Sequence, residues 1–176
     1  MTLSSFIQIF IAVIFIISAL SKLFDLKSFR ATIEEIGIKR PLLALGTIIV
    51  PVLELIISVL LFWKDGLVIG LILLSVLLIT FFGSTLRSFS MRKKIKCNCF
   101  GAITDESLGW STIVKIPLIA ILGIYLILDL PSKSIWEYPI LDVIYSVFIS
   151  ISFLLLYSML QILTKERKHQ LKSEGE

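Results

Sequence analysis

Five long apolar runs, at residues 4–24, 41–63, 66–86, 110–130 and 139–163, restrict this chain more than any other feature. Each comes close to the ~20 residues that a helix needs to cross about 30 Å of hydrocarbon. In that medium no water satisfies a backbone N–H or C=O, so only helices and closed barrels can span it. The runs lack the in-out alternation of a spanning strand. The expected fold is therefore all-α: a polytopic transmembrane bundle of five helices, solvated by the lipid bilayer. A 57% hydrophobic content with only 17% charged residues excludes an ordinary soluble domain. Residues 1–163 read as a single transmembrane domain and 164–176 as a charged tail. The first run is read as a helix rather than a signal peptide, because no basic residue precedes it and it exceeds the ~7–15 apolar residues of a signal core.

The net charge of +4 matters less than its placement. Lys22, Lys27, Arg30, Lys39 and Arg40 follow the first run, Arg87, Arg92, Lys93, Lys94 and Lys96 the third, and Lys165, Arg167, Lys168 and Lys172 the fifth. Those 14 basic residues fall on one side, against Lys64 and Lys133 on the other. By the positive-inside rule the N-terminus lies outside, and the 87–110 connection and the C-terminus lie in the cytoplasm, as in a multi-pass protein of the inner membrane. The basicity thus reports topology, and nothing else supports a nucleic-acid partner.

Along the chain, Lys22 closes the first run, where its ammonium is expected to snorkel to the headgroups. Residues 26–38 read as a short amphipathic helix on the cytoplasmic surface, with Leu26, Phe29, Ile33 and Ile36 at spacings of three and four. Gly37 marks its end and Pro41 suits the first turn of the next helix. Glu54 stands 13 residues after Pro41, about 20 Å into the second run at ~1.5 Å per residue. An intramembrane carboxyl is costly and is expected to face the bundle interior, near Lys22 or Lys115, either at a functional site or as a hydrogen-bonded structural group. Gly66 is expected to make the turn into the third run. Trp110 sits at an interface, and Lys115 either snorkels or faces inward. The lone histidine, His169, lies in the basic tail and reads as solvated.

The two cysteines, Cys97 and Cys99, are one residue apart in the basic connection between the third and fourth runs. Three readings are open: a redox pair, a soft-metal site, or two free thiols. For the first, a disulfide across one residue closes a small strained ring, and strained or exposed disulfides are the labile ones. Asn98 and Gly101 permit the tight turn it needs. Four cations just upstream favour the thiolate, which is the nucleophile. Zinc would want about four ligands, and no other cysteine or nearby histidine supplies them, so no metal site is assigned.

Ser21-Lys22-Leu23, the Pro51-to-Glu54 block, Cys97-Asn98-Cys99-Phe100-Gly101, and Trp110 with a cation at Lys115 together resemble the MauE (methylamine-utilisation) branch of the DoxX-like membrane proteins over about residues 4–130. The resemblance implies a four-helix core to which the fifth run adds a helix. It also implies Cys97 and Cys99 as an exchange pair serving a thioredoxin-fold partner. Glu54, Lys115 and Lys22 are the accompanying candidates, with Glu54 as a proton relay. A lipid-soluble quinone is a cofactor such a role admits, although no motif in the chain identifies a pocket for one. Lys115 stands where arginine is expected. The alternative is a non-catalytic subunit that anchors or assembles a larger envelope complex through the fifth helix, in which case the cysteines are dispensable.

Overall fold

A computed structural model describes residues 2–37, 40–90, 110–131 and 133–173. Among these residues it contains six α-helices: α1 (Leu3–Phe24), α2 (Leu26–Glu35), α3 (Arg40–Phe62), α4 (Lys64–Ser90), α5 (Trp110–Leu128) and α6 (Ile140–Ser173), with one 3-10 turn at Ile135–Glu137. No strand occurs among the described residues, as expected. Among the described residues four helices are long and apolar enough to cross a membrane, over Leu3–Phe24, Leu43–Phe62, Lys64–Arg87 and Ile140–Leu160. The fourth apolar run folds as α5, a helix of 19 residues. The described apolar stretch of α5 is shorter, Ile116–Leu128.

Local chemistry fixes the helix ends. The Thr2 hydroxyl accepts from Ser5 N at 3.3 Å and starts α1. Asp25 ends α1 through its own N–H to Ser21 O, and its carboxylate then accepts from Ser28 N at 3.0 Å to start α2. One capping residue therefore makes the corner between a spanning helix and an amphipathic one. Gly37, at φ 82, takes the left-handed conformation that glycine adopts without strain. α2 stops at Glu35, short of the expected Ile38. α6 instead runs on to Ser173, so the charged segment expected from residue 164 continues the helix.

Gly66 does not make the turn expected of it. The break falls at Trp63, and Gly66 lies in the first turn of α4. A Cβ there would stand 3.0 Å from both Leu60 O and Leu60 Cδ2, so glycine is what lets α4 fold back against the end of α3. Gly66→Ala is expected to lower stability by about 1–3 kcal/mol, the range for forced overpacking. Gly83→Ala should be neutral, because nothing lies within 4 Å of that Cβ. Thermal unfolding of the two variants in detergent checks the difference.

α1 is the central helix. Ile7, Ile11, Ile14 and Phe15 pack against Ile57 and Leu61 of α3, Leu71 and Leu74 of α4, and Leu126 of α5. Ile9 and Val13, on the other side, meet Val143, Val147 and Ile151 of α6. α2 lies on α3 through Phe29, Ile33 and Leu43.

The connections define two ends. At one, Ser5 Oγ donates to Tyr138 OH at 2.8 Å, Lys64 N donates to Ser134 Oγ at 3.3 Å, and the Phe62 and Trp136 rings meet at 6.2 Å. This Tyr138 end holds the start of α1, the α3–α4 corner, the end of α5 and the start of α6. The opposite end therefore holds Lys22, α2, the C-terminus of α4, the N-terminus of α5 and the far end of α6.

Candidate functional site

A helix carries each side chain tilted toward its own N-terminus. Lys22, in the last turn of α1, therefore leans back into the bundle. Glu54, on antiparallel α3, leans the opposite way, toward the Lys22 end, and the two meet. Lys22 Nζ donates to Glu54 Oε1 in a salt bridge with both side chains 1% exposed. Ser18, one turn before Lys22, completes a triangle: Nζ donates to Ser18 Oγ at 2.8 Å, and that hydroxyl donates to Glu54 Oε1 at 3.2 Å.

The ammonium is roofed by rings. Its Nζ lies 5.6 Å from the centroid of Phe29 and 5.2 Å from that of Phe81. Both are within the ~6 Å at which a cation is attracted by an aromatic face. Phe29 arrives from α2 and Phe81 from α4, so four elements converge on one cation.

The expected snorkelling of Lys22 is thereby overturned. Asp25 turns the chain into α2, Phe29 covers the ammonium, and a buried carboxylate offers a partner that the headgroups would otherwise supply. Glu54 does face inward, toward Lys22, as one of its two expected neighbours. The pair also pins α1 to α3, since a buried charge left alone costs several kcal/mol.

One polar atom is left over. Glu54 Oε2 is buried and has no hydrogen-bond partner among the described residues. A carboxyl that bonds an ammonium through one oxygen and leaves the other free is able to take up a proton at the free oxygen without any backbone movement. At the Tyr138 end Gln8 shows the same pattern. Its Nε2 donates to Leu61 O near the C-terminus of α3, while its Oε1 is buried without a partner among the described residues.

Of the candidates, the structure brings Lys22 and Glu54 together. Cys97 and Cys99, with the turn residues Asn98 and Gly101, lie outside the described residues, in the connection from Ser90 to Trp110. Both ends of that connection are at the Lys22 end of the bundle. Lys115 lies on the backbone of α5, and its side chain is outside what the structure describes. No group of three or more metal-ligating side chains occurs among the described residues.

Sequence reasoning missed Ser18, Gln8 and Phe81. A signal for the first two was present, since Ser4, Gln8, Ile11, Phe15, Ser18 and Lys22 alternate spacings of four and three along one face of α1. Four of the six polar residues of α1 thus share its interior stripe. Phe81 had no such signal in a helix rich in apolar residues.

Comparison with known proteins gives a family match. The sequence model of the family described as "Methylamine utilisation protein MauE" matches residues 1–128, from the start of the chain to the last residue of α5. No curated protein and no solved structure matches the chain.

Proposed function

The chain belongs to the MauE family, and from that premise we propose that it is a multi-pass membrane protein serving methylamine utilisation by thiol/disulfide exchange. Cys97 and Cys99 are the exchanging pair, and a thioredoxin-fold protein is the partner. In one direction, a thiolate of the pair attacks the partner's disulfide, forming a mixed disulfide and releasing one partner thiolate. The second cysteine then attacks its neighbour's sulfur, closing the Cys97–Cys99 disulfide and releasing the partner's other thiolate. The pair is oxidised by two electrons and the partner's disulfide is reduced to a dithiol. The reverse sequence reduces the pair.

The observation that carries this reading is the placement of the chain's only two cysteines, one residue apart in a basic connection whose flanking helices meet the Lys22 end of the bundle. In this reading Glu54 holds the proton gained or lost as the thiols change state. Lys22, Ser18 and the rings of Phe29 and Phe81 keep its carboxyl in place, away from lipid. By the charge count, the exchange faces the cytoplasm at the inner membrane.

A second reading, an anchoring subunit of a larger envelope complex, is favoured by α6. It lies outside the family match, packs on α1, and turns Phe148, Phe153 and Leu156 outward. Thiol titration separates the two. In nanodiscs equilibrated against a graded thiol/disulfide buffer, the exchange reading expects both thiols to disappear together and return together at one midpoint. A pair that stays fully reduced throughout the range favours the anchoring subunit.

A further inference from the structure

We propose that Glu54 exchanges its proton with water at the Lys22 end of the bundle and at that end alone, so that the buried carboxyl stores a proton without carrying it across the bilayer. The route rests on packing and holds whether or not the thiols exchange. Glu54 meets Lys22 and Ser18 of α1, and the elements that close over the pair, α2 and α4, bring the rings of Phe29 and Phe81 rather than a charge. On α5 the side chain of Lys115 lies outside the described residues. Glu54 Oε2, buried and without a partner among the described residues, is the atom that takes the proton.

Toward the Tyr138 end the way is closed. The next buried polar side chain of α1 is Gln8, ten residues from Ser18 and so about 15 Å along the axis at ~1.5 Å per residue. Ile11, Phe15, Ile57, Leu71 and Leu74 fill that interval, and none is more than 4% exposed. The hydroxyls of Ser58, Ser75 and Ser150 each donate to a carbonyl of their own helix, at 2.7, 2.8 and 2.7 Å, so none has a proton free to pass along. A cavity of about 170 Å³ lies between α4 and α5, and its walls are apolar apart from Ser75. Apolar walls keep a space of that size dry. Toward the Lys22 end the cover is thin. Lys22 stands two residues before Phe24, which is 87% exposed, and its ammonium is roofed by one layer, Phe29 and the half-buried Phe81. Side-chain motion opens a layer one ring deep. A close-packed core about 15 Å thick opens only by unfolding.

The test uses the full chain in vesicles of zwitterionic lipid, at a lipid-to-protein ratio high enough that vesicles carry single chains. An affinity tag after Glu176, beyond the far end of α6, captures vesicles with the Lys22 end outside and leaves those with it inside. The probe is the proton itself: external pH is stepped against a strong internal buffer, and the infrared carbonyl band of the protonated Glu54 carboxyl is followed. Glu54→Gln removes that band and Glu54→Asp shifts it, so either variant assigns it if the other fails to assemble. With pH equal on both sides, the band should titrate between about pH 4 and 10, from ordinary carboxylates to ordinary lysines. After a step outside alone, captured vesicles should show the full change at once, and the others none until a protonophore equalises the interior. A change in both populations would overturn the proposal, since access is then two-sided. A change in the uncaptured vesicles alone would put the route at the wrong end, and a band that titrates nowhere in the range would mean that Glu54 exchanges no proton. The C97S/C99S variant should behave as wild type does, and sidedness that needs the cysteines would overturn a route set by packing. An inert cysteine pair in the thiol titration removes the exchange reading and leaves this one standing.

Discussion

Lys22→Met is expected to destabilise the folded protein by about 3–5 kcal/mol, the range for removing one member of a buried ion pair. The variant leaves Glu54 at 1% exposure with the Ser18 hydroxyl as its remaining described partner. Its second oxygen is already without one. Glu54→Leu should be costly for the complementary reason, since it strands the ammonium between Phe29 and Phe81 with one hydroxyl to donate to. The double variant should lose much less than the sum, because apolar side chains of similar volume often replace a buried pair at little cost. Chemical unfolding of the two single variants and the double in detergent gives the coupling energy, expected to be at least the loss caused by one single substitution, about 3–5 kcal/mol. Additive losses would mean that the contact carries no energy.

Much of the fold was legible because a bilayer leaves a chain few options. Once backbone groups have no water, twenty apolar residues in a row must be helix, and the Gly37 signal bears on where one of the helices stops. What was less legible depends on which helix occupies the middle. α1 is no more apolar than its neighbours by inspection, yet Ile9, Ile11 and Ala12 are each 0% exposed, so residues on different faces of it are buried at once. That arrangement turned Lys22 from a boundary lysine into an interior one. An inward Glu54 was inferable from the cost of a lipid-facing carboxyl, and Lys22 was named among its neighbours, but the choice between Lys22 and Lys115 needed the pairing of α1 with α3. Gly66 shows a further limit: glycine is used for turns and for close approach alike, and only the distance to Leu60 decides which.

The other large effect concerns the thiols. Replacing either Cys97 or Cys99 by serine is expected to abolish turnover with a thioredoxin-fold partner, by about 100-fold or more, because the two residues act as a unit and neither completes the cycle alone. Stability should change little, since α4 and α5, which the connection joins, pack together through Leu74, Leu78, Ile116 and Leu126. Serine is close in size to cysteine and supplies no nucleophile at neutral pH without a base. A variant that both unfolds and loses turnover would speak for a structural role, which the thermal midpoint reports separately.

The same substitution gives the most direct measurement of exchange. With one cysteine left, attack on the partner's disulfide still forms a mixed disulfide, but the neighbouring thiol that would resolve it is gone. Membranes containing the Cys97→Ser or Cys99→Ser protein, quenched in acid and separated without reductant, should show a covalent adduct with a thioredoxin-fold protein from at least one variant. That adduct should vanish on addition of dithiothreitol and be absent from the double serine variant. No adduct from either single variant, together with wild-type activity in both, would contradict thiol exchange as the work of this protein.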